Sequence, residues 1–188
     1  MPELPEIERY RQLAEATILG RTIAAVAAPD AWYLKRGLTA PEAEAALTGR
    51  AFVTTRRRGK LLLLDLDDGT VLGLRFGMSG RLLVDGSPAV DRLLYGRPAA
   101  DPRYERFRLE FPAGGSLVMS DPRRLGGVEL DPDLSRLGVD ALGVSVVELV
   151  DSRVSVRWTS DDLPGWWRHP AAPIAALAIG VALGYFFW

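Results

Sequence analysis

Apolar side chains recur at helical spacing in two places along the first third of the chain. Residues 3–19 carry an apolar stripe on one side of a helix, and Gly20 follows as a typical terminator. The stripe consists of Ile7, Tyr10, Leu13, Ala14 and Ile18. A shorter helical pattern over residues 41–47 ends before Gly49. We therefore predict an N-terminal amphipathic helix and a second, short helix.

Short strand-like runs dominate the chain from residue 51 to residue 130, and one such run precedes them. Glycines and turns such as Asp67-Asp68-Gly69 separate these runs, and Pro112-Ala113-Gly114-Gly115 indicates a hairpin. The predicted strands cover residues 22–28, 51–58, 61–66, 71–76, 81–84, 104–111, 116–120 and 128–130. Many short strands with few helices predict an α+β fold that is mainly β. The expected architecture is a two-layer β-sandwich flanked by the N-terminal helix and short helices.

The character of the sequence changes after about residue 140. We expect a β-sandwich domain over residues 1–140, an atypical linker over residues 141–169 and an apolar C-terminal segment over residues 170–188. This last segment has no charged residue along 19 positions, which is about the length that crosses a bilayer. Two interpretations stay open for it: a transmembrane helix that anchors the protein, or a buried terminal helix.

Composition excludes several kinds of site and points to a polyanionic partner. The chain has no cysteine and one histidine, His169, which argues against disulfides, thiolate zinc sites and multi-histidine metal sites. We expect no metal and no cofactor. The net charge of −1 conceals a basic segment, because residues 50–124 contain 14 Arg and Lys against 9 Asp and Glu. Such a segment would attract a nucleic acid.

The start of the chain, Met1-Pro2-Glu3-Leu4-Pro5-Glu6, carries candidate chemistry. If Met1 is removed, the Pro2 nitrogen becomes a free secondary amine that could attack a sugar carbon and form an iminium cation. Glu3 and Glu6 then lie within one helical turn of that nitrogen, where a carboxylate could act as general acid or base. The alternative is an ordinary helix start, in which proline and acidic residues suit the first turn.

Three later stretches combine cations, glycines and apolar tips. Arg56-Arg57-Arg58-Gly59-Lys60 could bind phosphate, and it contains one of the only two lysines in the chain. Gly77-Met78-Ser79-Gly80 places a flexible apolar side chain on a loop, and such a side chain can enter a base stack. Asp121-Pro122-Arg123-Arg124-Leu125 pairs two guanidinium groups with an apolar tip. Taken singly, each stretch is also compatible with a purely structural role.

In this order, the four motifs resemble those of the formamidopyrimidine-DNA glycosylase and endonuclease VIII family of base-excision repair enzymes. The resemblance covers about residues 2–140, which correspond to the N-terminal catalytic domain of that family. It implies that Pro2 attacks the sugar C1′ of a damaged nucleotide, expels the base and leaves a Schiff base, and that strand scission by elimination follows. It also implies proton transfer by Glu3 and organisation of the pocket or of a water by Glu6. Lys60 would contact the phosphate near the lesion and assist proton transfer.

The resemblance also assigns residues that bind damaged double-stranded DNA. Met78, Arg123 and Leu125 match the side chains that fill the void left by an extruded base, although the third is often phenylalanine in the family. Arg58 and Arg124 are expected to add contacts to the DNA. An enzyme of this kind would work in the cytoplasm at the nucleoid, or at a membrane if residues 170–188 anchor it.

One departure from the family leaves two functions open. Family members carry a helix-two-turn-helix region and a zinc or zincless finger after this domain, whereas only 48 residues without cysteine or lysine follow residue 140 here. Fewer phosphate contacts predict weaker DNA binding. The first function is a DNA glycosylase and abasic-site lyase acting on oxidised purines, the family's commoner substrates. The alternative is a truncated, catalytically weak or inactive relic that binds DNA or is tethered to a membrane.

Overall fold

The structure is a computed structural model that describes residues 2–89, 101–138 and 140. All of them belong to the first of two units, Met1–Val144 and Ser145–Trp188, into which the chain divides. Within the described residues, two α-helices, α1 (Leu4–Thr17) and α2 (Ala40–Leu47), accompany nine strands. The strands are β1 (Ala25–Ala27), β2 (Phe52–Arg58), β3 (Leu61–Leu66), β4 (Val71–Arg75), β5 (Arg81–Val84), β6 (Ser87–Pro88), β7 (Glu105–Glu110), β8 (Ser116–Ser120) and β9 (Gly127–Leu130).

The strands form two antiparallel sheets. One sheet has the order β1-β7-β8-β5-β6, and the other has the order β2-β3-β4-β9. Within the second sheet, β2 pairs with β3 from Arg58 opposite Leu61 to Phe52 opposite Leu66. The bend between these two strands contains Gly59 at φ +56°, a left-handed conformation that glycine adopts without a steric penalty. Lys60 is thereby placed at the tip of the bend.

A single core of apolar side chains lies between the sheets and beneath α1. Helix α1 buries Ile7, Tyr10 and Ala14, and the Tyr10 ring stacks on Phe76 with their centroids 4.6 Å apart. Strand β3 contributes leucines to the same core, and Phe107 and Leu109 enter it from β7. Burying one large apolar side chain contributes roughly 1.5–3 kcal/mol, so this shared core holds the helix against both sheets.

The predicted fold class is confirmed: the described residues form an α+β structure that is mainly β and has two antiparallel sheets. The bounds of β3, β5 and β8 coincide with those predicted, because glycines or charged turns flank each run. Helix α1 is shorter than predicted and ends at Thr17, and the predicted strand over residues 22–28 is reduced to the three residues of β1. Beyond β1, Thr22 forms only an isolated bridge with Ala51.

The predictions for the C-terminal part concern residues that are not described. Both the linker expected over residues 141–169 and the apolar segment of residues 170–188 lie outside the described residues. Within residues 2–89, 101–138 and 140, no helix combines the length and the apolar character needed to cross a membrane.

Candidate active site

The first residues approach α1 in an extended conformation, with Glu3 as the N-cap of the helix. Pro2 is buried, and the Glu3 backbone N–H donates to Glu6 Oε2 at 2.8 Å. A helix start leaves backbone N–H groups without intrahelical partners, and a carboxylate three residues into the helix satisfies one of them. This capping turns the Glu6 carboxylate back towards the chain start. Both carboxylates therefore belong to the first turn of α1, which directly follows Pro2.

Lys60 joins this group from the bend between β2 and β3. Its ammonium forms an ion pair with the Glu3 carboxylate, and both side chains are about half exposed, at 48% each. The pairing brings together two predicted residues that are far apart in the sequence. Because both remain accessible to solvent, this ion pair is worth little in free energy. A cation and a carboxylate thus lie side by side next to the chain start.

Two arginines of the basic motif, Arg57 and Arg58, contact protein groups. Arg57 is 7% exposed and pairs with Glu8 at 3.1 Å (Nε to Oε2) and with Asp140 at 2.7 Å (Nη1 to Oδ2). Hydrogen bonds from Arg11 and Arg57 lower the pKa of Glu8. Arg58 is half-buried and lies against the backbone of Leu137, with Nη2 3.4 Å from its carbonyl oxygen. The predicted DNA contact by Arg58 stays a prediction.

Two loops bring the three predicted void-filling residues together. The Met78 loop (residues 76–80) passes so close to the Arg123 loop (residues 121–126) that a Cβ at Gly77 would lie 2.5 Å from the backbone carbon of Leu125. Met78 is 45% exposed and Leu125 is 56% exposed. The Arg123 Nη1 lies 4.0 Å from Met78 Sδ. Two exposed apolar side chains and a guanidinium therefore project from one pair of interlocked loops.

A buried carboxylate, Asp121, holds these loops together, and no feature of the sequence predicted this role. Asp121 Oδ1 accepts hydrogen bonds from the Ser79 hydroxyl at 2.5 Å and from the Arg123 N–H at 3.1 Å. Oδ2 accepts one from the Gly126 N–H at 2.8 Å. The side chain has no exposed surface, so water cannot replace these bonds. Asp121 thereby fixes the backbone on both sides of Arg123 and Leu125.

Arg124 has a partner of its own in the structure. Its guanidinium binds Asp30 through two parallel hydrogen bonds of 2.6 Å each, from Nε to Oδ2 and from Nη2 to Oδ1. These bonds lower the pKa of Asp30. Such bidentate geometry is among the stronger charge-assisted arrangements. Arg124 remains about half exposed, so its predicted contact to DNA stays a prediction beside this structural role.

Helix α1 connects the two groups of residues. Tyr10 lies one turn beyond Glu6, and its ring stacks on Phe76, the first residue of the Met78 loop. The Tyr10 hydroxyl is buried, and this burial raises its pKa. The helix that positions Glu3 and Glu6 is therefore packed directly against the loop that presents Met78. This connection arises from an aromatic contact that spans 66 residues of sequence, and no local pattern could reveal it.

A family profile and individual relatives that match this chain all belong to the same protein family. Residues 1–128 match the profile of the formamidopyrimidine-DNA glycosylase N-terminal domain. The formamidopyrimidine-DNA glycosylase of Nocardioides sp. is 40% identical over 148 residues, and that of Cereibacter sphaeroides is 37% identical over 154 residues. Each alignment covers 76% of this chain, and 48% and 52%, respectively, of the relative. The chain thus spans about half the length of these relatives.

A solved structure adds a likeness in three dimensions. The Lactococcus lactis Fpg (MutM), in a complex with DNA containing N7-benzyl-Fapy-dG, superimposes with a TM-score of 0.57 and 27% sequence identity. The superposition covers 69% of this chain and 43% of the Lactococcus chain.

Proposed function

Because the chain belongs to the formamidopyrimidine-DNA glycosylase family, we propose that it excises oxidised purines from double-stranded DNA and cleaves the resulting abasic site. The observation that supports this most is the grouping of Glu3, Glu6 and Lys60 around the chain start that carries Pro2. Amine, carboxylate and ammonium groups suffice for the chemistry, and the proposed reaction uses neither a metal nor a cofactor.

The proposed reaction begins after Met1 has been removed by hydrolysis. The Pro2 nitrogen, with a free electron pair, bonds to C1′ of the damaged nucleotide while the bond from C1′ to the base breaks and the base leaves with a proton. Opening of the sugar ring at O4′ gives the iminium form, in which C2′ becomes acidic. Loss of a C2′ proton then expels the 3′ phosphate. Glu3 is positioned to move protons in these steps.

Glu6 and Lys60 have separate roles in this proposal. Glu6 accepts the Glu3 backbone N–H and so keeps the chain start in one conformation, which positions the nucleophile. Lys60 exchanges its Glu3 partner for a phosphate next to the lesion. That exchange fixes the sugar above Pro2, and it also frees the Glu3 carboxylate for proton transfer.

The Met78 loop and the Arg123 loop bind the DNA and take no part in the bond-breaking step. A base must leave the stack before its sugar can reach Pro2, and the gap must be occupied by something else. Met78 and Leu125 are the exposed apolar side chains suited to that gap, and Arg123 has donors for the orphaned base. The lesion-containing DNA bound by the Lactococcus relative supports damaged DNA as the partner, and we propose that the protein acts at the nucleoid.

Borohydride trapping tests the proposal. The protein is incubated with a duplex containing one abasic site, and borohydride reduces any Schiff base to a stable cross-link. We expect a cross-link with the wild-type protein, and a large loss when an uncleaved N-terminal extension keeps the Pro2 nitrogen in an amide. Glu3→Gln should reduce release of an oxidised purine while the thermal unfolding transition is retained. A protein that binds the duplex but never cross-links would instead favour the non-catalytic DNA-binding relic.

A further inference from the structure

Trp32 is the most exposed large apolar side chain in the described part of the chain, with 68% of its surface accessible. It lies in a 3₁₀ turn (Ala31–Tyr33) just before the residues that bridge to β9. An indole buries a large area when it finds a partner, and tryptophan is enriched where one protein surface binds another molecule. None of the roles described above uses this side chain.

The 3₁₀ turn contacts the Arg123 loop at two points, and the residue that follows the turn pairs with β9. Asp30, its N-cap, holds Arg124 through the two 2.6 Å hydrogen bonds. The Tyr33 hydroxyl lies against Gly126, where an added Cβ would be 2.6 Å from the oxygen. Leu34 forms a parallel bridge with Val128. Trp32 is therefore carried by the same rigid assembly that presents Arg123 and Leu125.

The charges around Trp32 suit a polyanion. Lys35 folds over Gly127, donates from Nζ to the Trp32 carbonyl oxygen at 2.7 Å, and holds its ammonium 5.1 Å from the centre of the indole ring. Residues 30–36 and 121–129 contain four cations and three acids. Two of those acids, Asp121 and Glu129, are buried, and the third, Asp30, is paired with Arg124. The charge that reaches solvent here is predominantly positive.

We propose that Trp32 is an additional DNA-contacting residue, whose indole packs on a nucleobase or deoxyribose of the damaged duplex while Lys35 contacts an adjacent phosphate. The inference rests on the proposed function, because it takes the duplex engaged by Met78, Arg123 and Leu125 as its partner. Aromatic side chains stack on any base with little sequence preference, and a neighbouring ammonium adds phosphate affinity. This contact enlarges the DNA surface covered by the protein beyond the gap left by the extruded base, and it does not involve the reacting sugar.

Binding of a labelled duplex that contains a tetrahydrofuran abasic analogue, followed by fluorescence anisotropy, tests the proposal. We expect Trp32→Ala to weaken binding about tenfold, within a range of roughly 5- to 100-fold. Trp32→Phe should retain most of the affinity, since the ring still stacks. Val53→Ala is the matched control, because Val53 is an exposed apolar residue, at 52%, on β2. Lys35→Gln should reduce the slope of log affinity against log salt by about one.

The outcomes separate this inference from the proposed function. An affinity of Trp32→Ala within twofold of Val53→Ala, with both variants folded, would overturn the role of Trp32 even if the wild-type protein cross-links normally. A selective loss of affinity in Trp32→Ala supports it, and it does so even if borohydride trapping fails and the catalytic proposal falls. A wild-type protein that does not bind the duplex would overturn both.

Discussion

Removal of the Asp121 carboxylate should loosen both loops that carry the void-filling residues. Asp121→Ala leaves the Ser79 hydroxyl and the Gly126 N–H without their acceptor, whereas the Arg123 N–H keeps a second acceptor, Ser79 Oγ, at 3.2 Å. Hydrogen bonds to a charged group contribute about 1.5–3 kcal/mol each, so two lost bonds correspond to about 3–6 kcal/mol. Removing a buried charge recovers part of its desolvation penalty. We expect a net loss of about 2–4 kcal/mol in the free energy of unfolding.

Urea unfolding of the purified protein measures this loss, and hydrogen exchange locates it. The Gly126 and Arg123 amides should exchange faster in Asp121→Ala than in the wild-type protein. Asp121→Asn, which keeps one acceptor oxygen, should lie between the two. The exposed Asp67 provides the control, since Asp67→Ala should change stability by less than about 0.5 kcal/mol. A loss below about 1 kcal/mol for Asp121→Ala, with unchanged exchange at Gly126, would show that the Asp121 carboxylate does not hold the two loops together.

Three further perturbations have defined outcomes. Gly77→Ala should destabilise the protein by about 1–3 kcal/mol and weaken binding to abasic-site DNA, because φ at Gly77 is +55° and the added Cβ meets the Leu125 backbone. Gly69→Ala, at φ +90° in open space, is the control for backbone strain alone. Equal effects of the two substitutions on DNA binding would contradict the contact between the loops. Tyr10→Phe should leave the free energy of unfolding unchanged or raise it by up to about 1 kcal/mol, because the buried hydroxyl has no hydrogen-bond partner in the described part of the chain. A clear decrease in the free energy of unfolding, measured in urea, would show that the hydroxyl has a partner. Arg124→Ala should lower the thermal stability more at pH 6 than at pH 2.5. The lowered pKa of Asp30 gives a contribution that is fully present above the unfolded pKa, near 3.8, and that decreases as the pH falls towards and through the lower, folded value. A difference in Tm between Arg124→Ala and wild type that is as large at pH 2.5 as at pH 6 would contradict this assignment.

The β-sheet framework could be predicted from the sequence because its signals are local. Glycines and the Asp67-Asp68-Gly69 turn mark the ends of β3 and β4, and apolar runs between them give the strands. β6 and the 3₁₀ turns were not predicted, since two or three residues carry no periodicity. The strand predicted over residues 22–28 is shorter in the structure because Ala25–Ala27 pair in register with β7, whereas Ile23 hydrogen-bonds to the backbone of Gly49 and Arg50 instead.

In the candidate site, too, contacts between residues close in the sequence could be predicted, and contacts between residues far apart in the sequence could not. Pro2, Glu3 and Glu6 stand in one turn, so their proximity could be deduced, whereas the ion pair of Glu3 with Lys60 depends on how β2 and β3 meet α1. Asp121 could not be assigned its role, because its partners are backbone N–H groups and a serine hydroxyl from another loop. A buried carboxylate looks the same in a sequence as an exposed one. The structure alone separates the two.

The proposed reaction requires a covalent bond between deoxyribose and the Pro2 nitrogen, and peptide mapping of a borohydride-trapped complex detects that bond. The protein is trapped on an abasic-site duplex, digested with nuclease and protease, and sequenced by mass spectrometry. We predict a sugar remnant on a peptide that begins at Pro2, with Met1 absent. A remnant on Lys60 or Lys35, or a chain that still begins with Met1, would contradict the account.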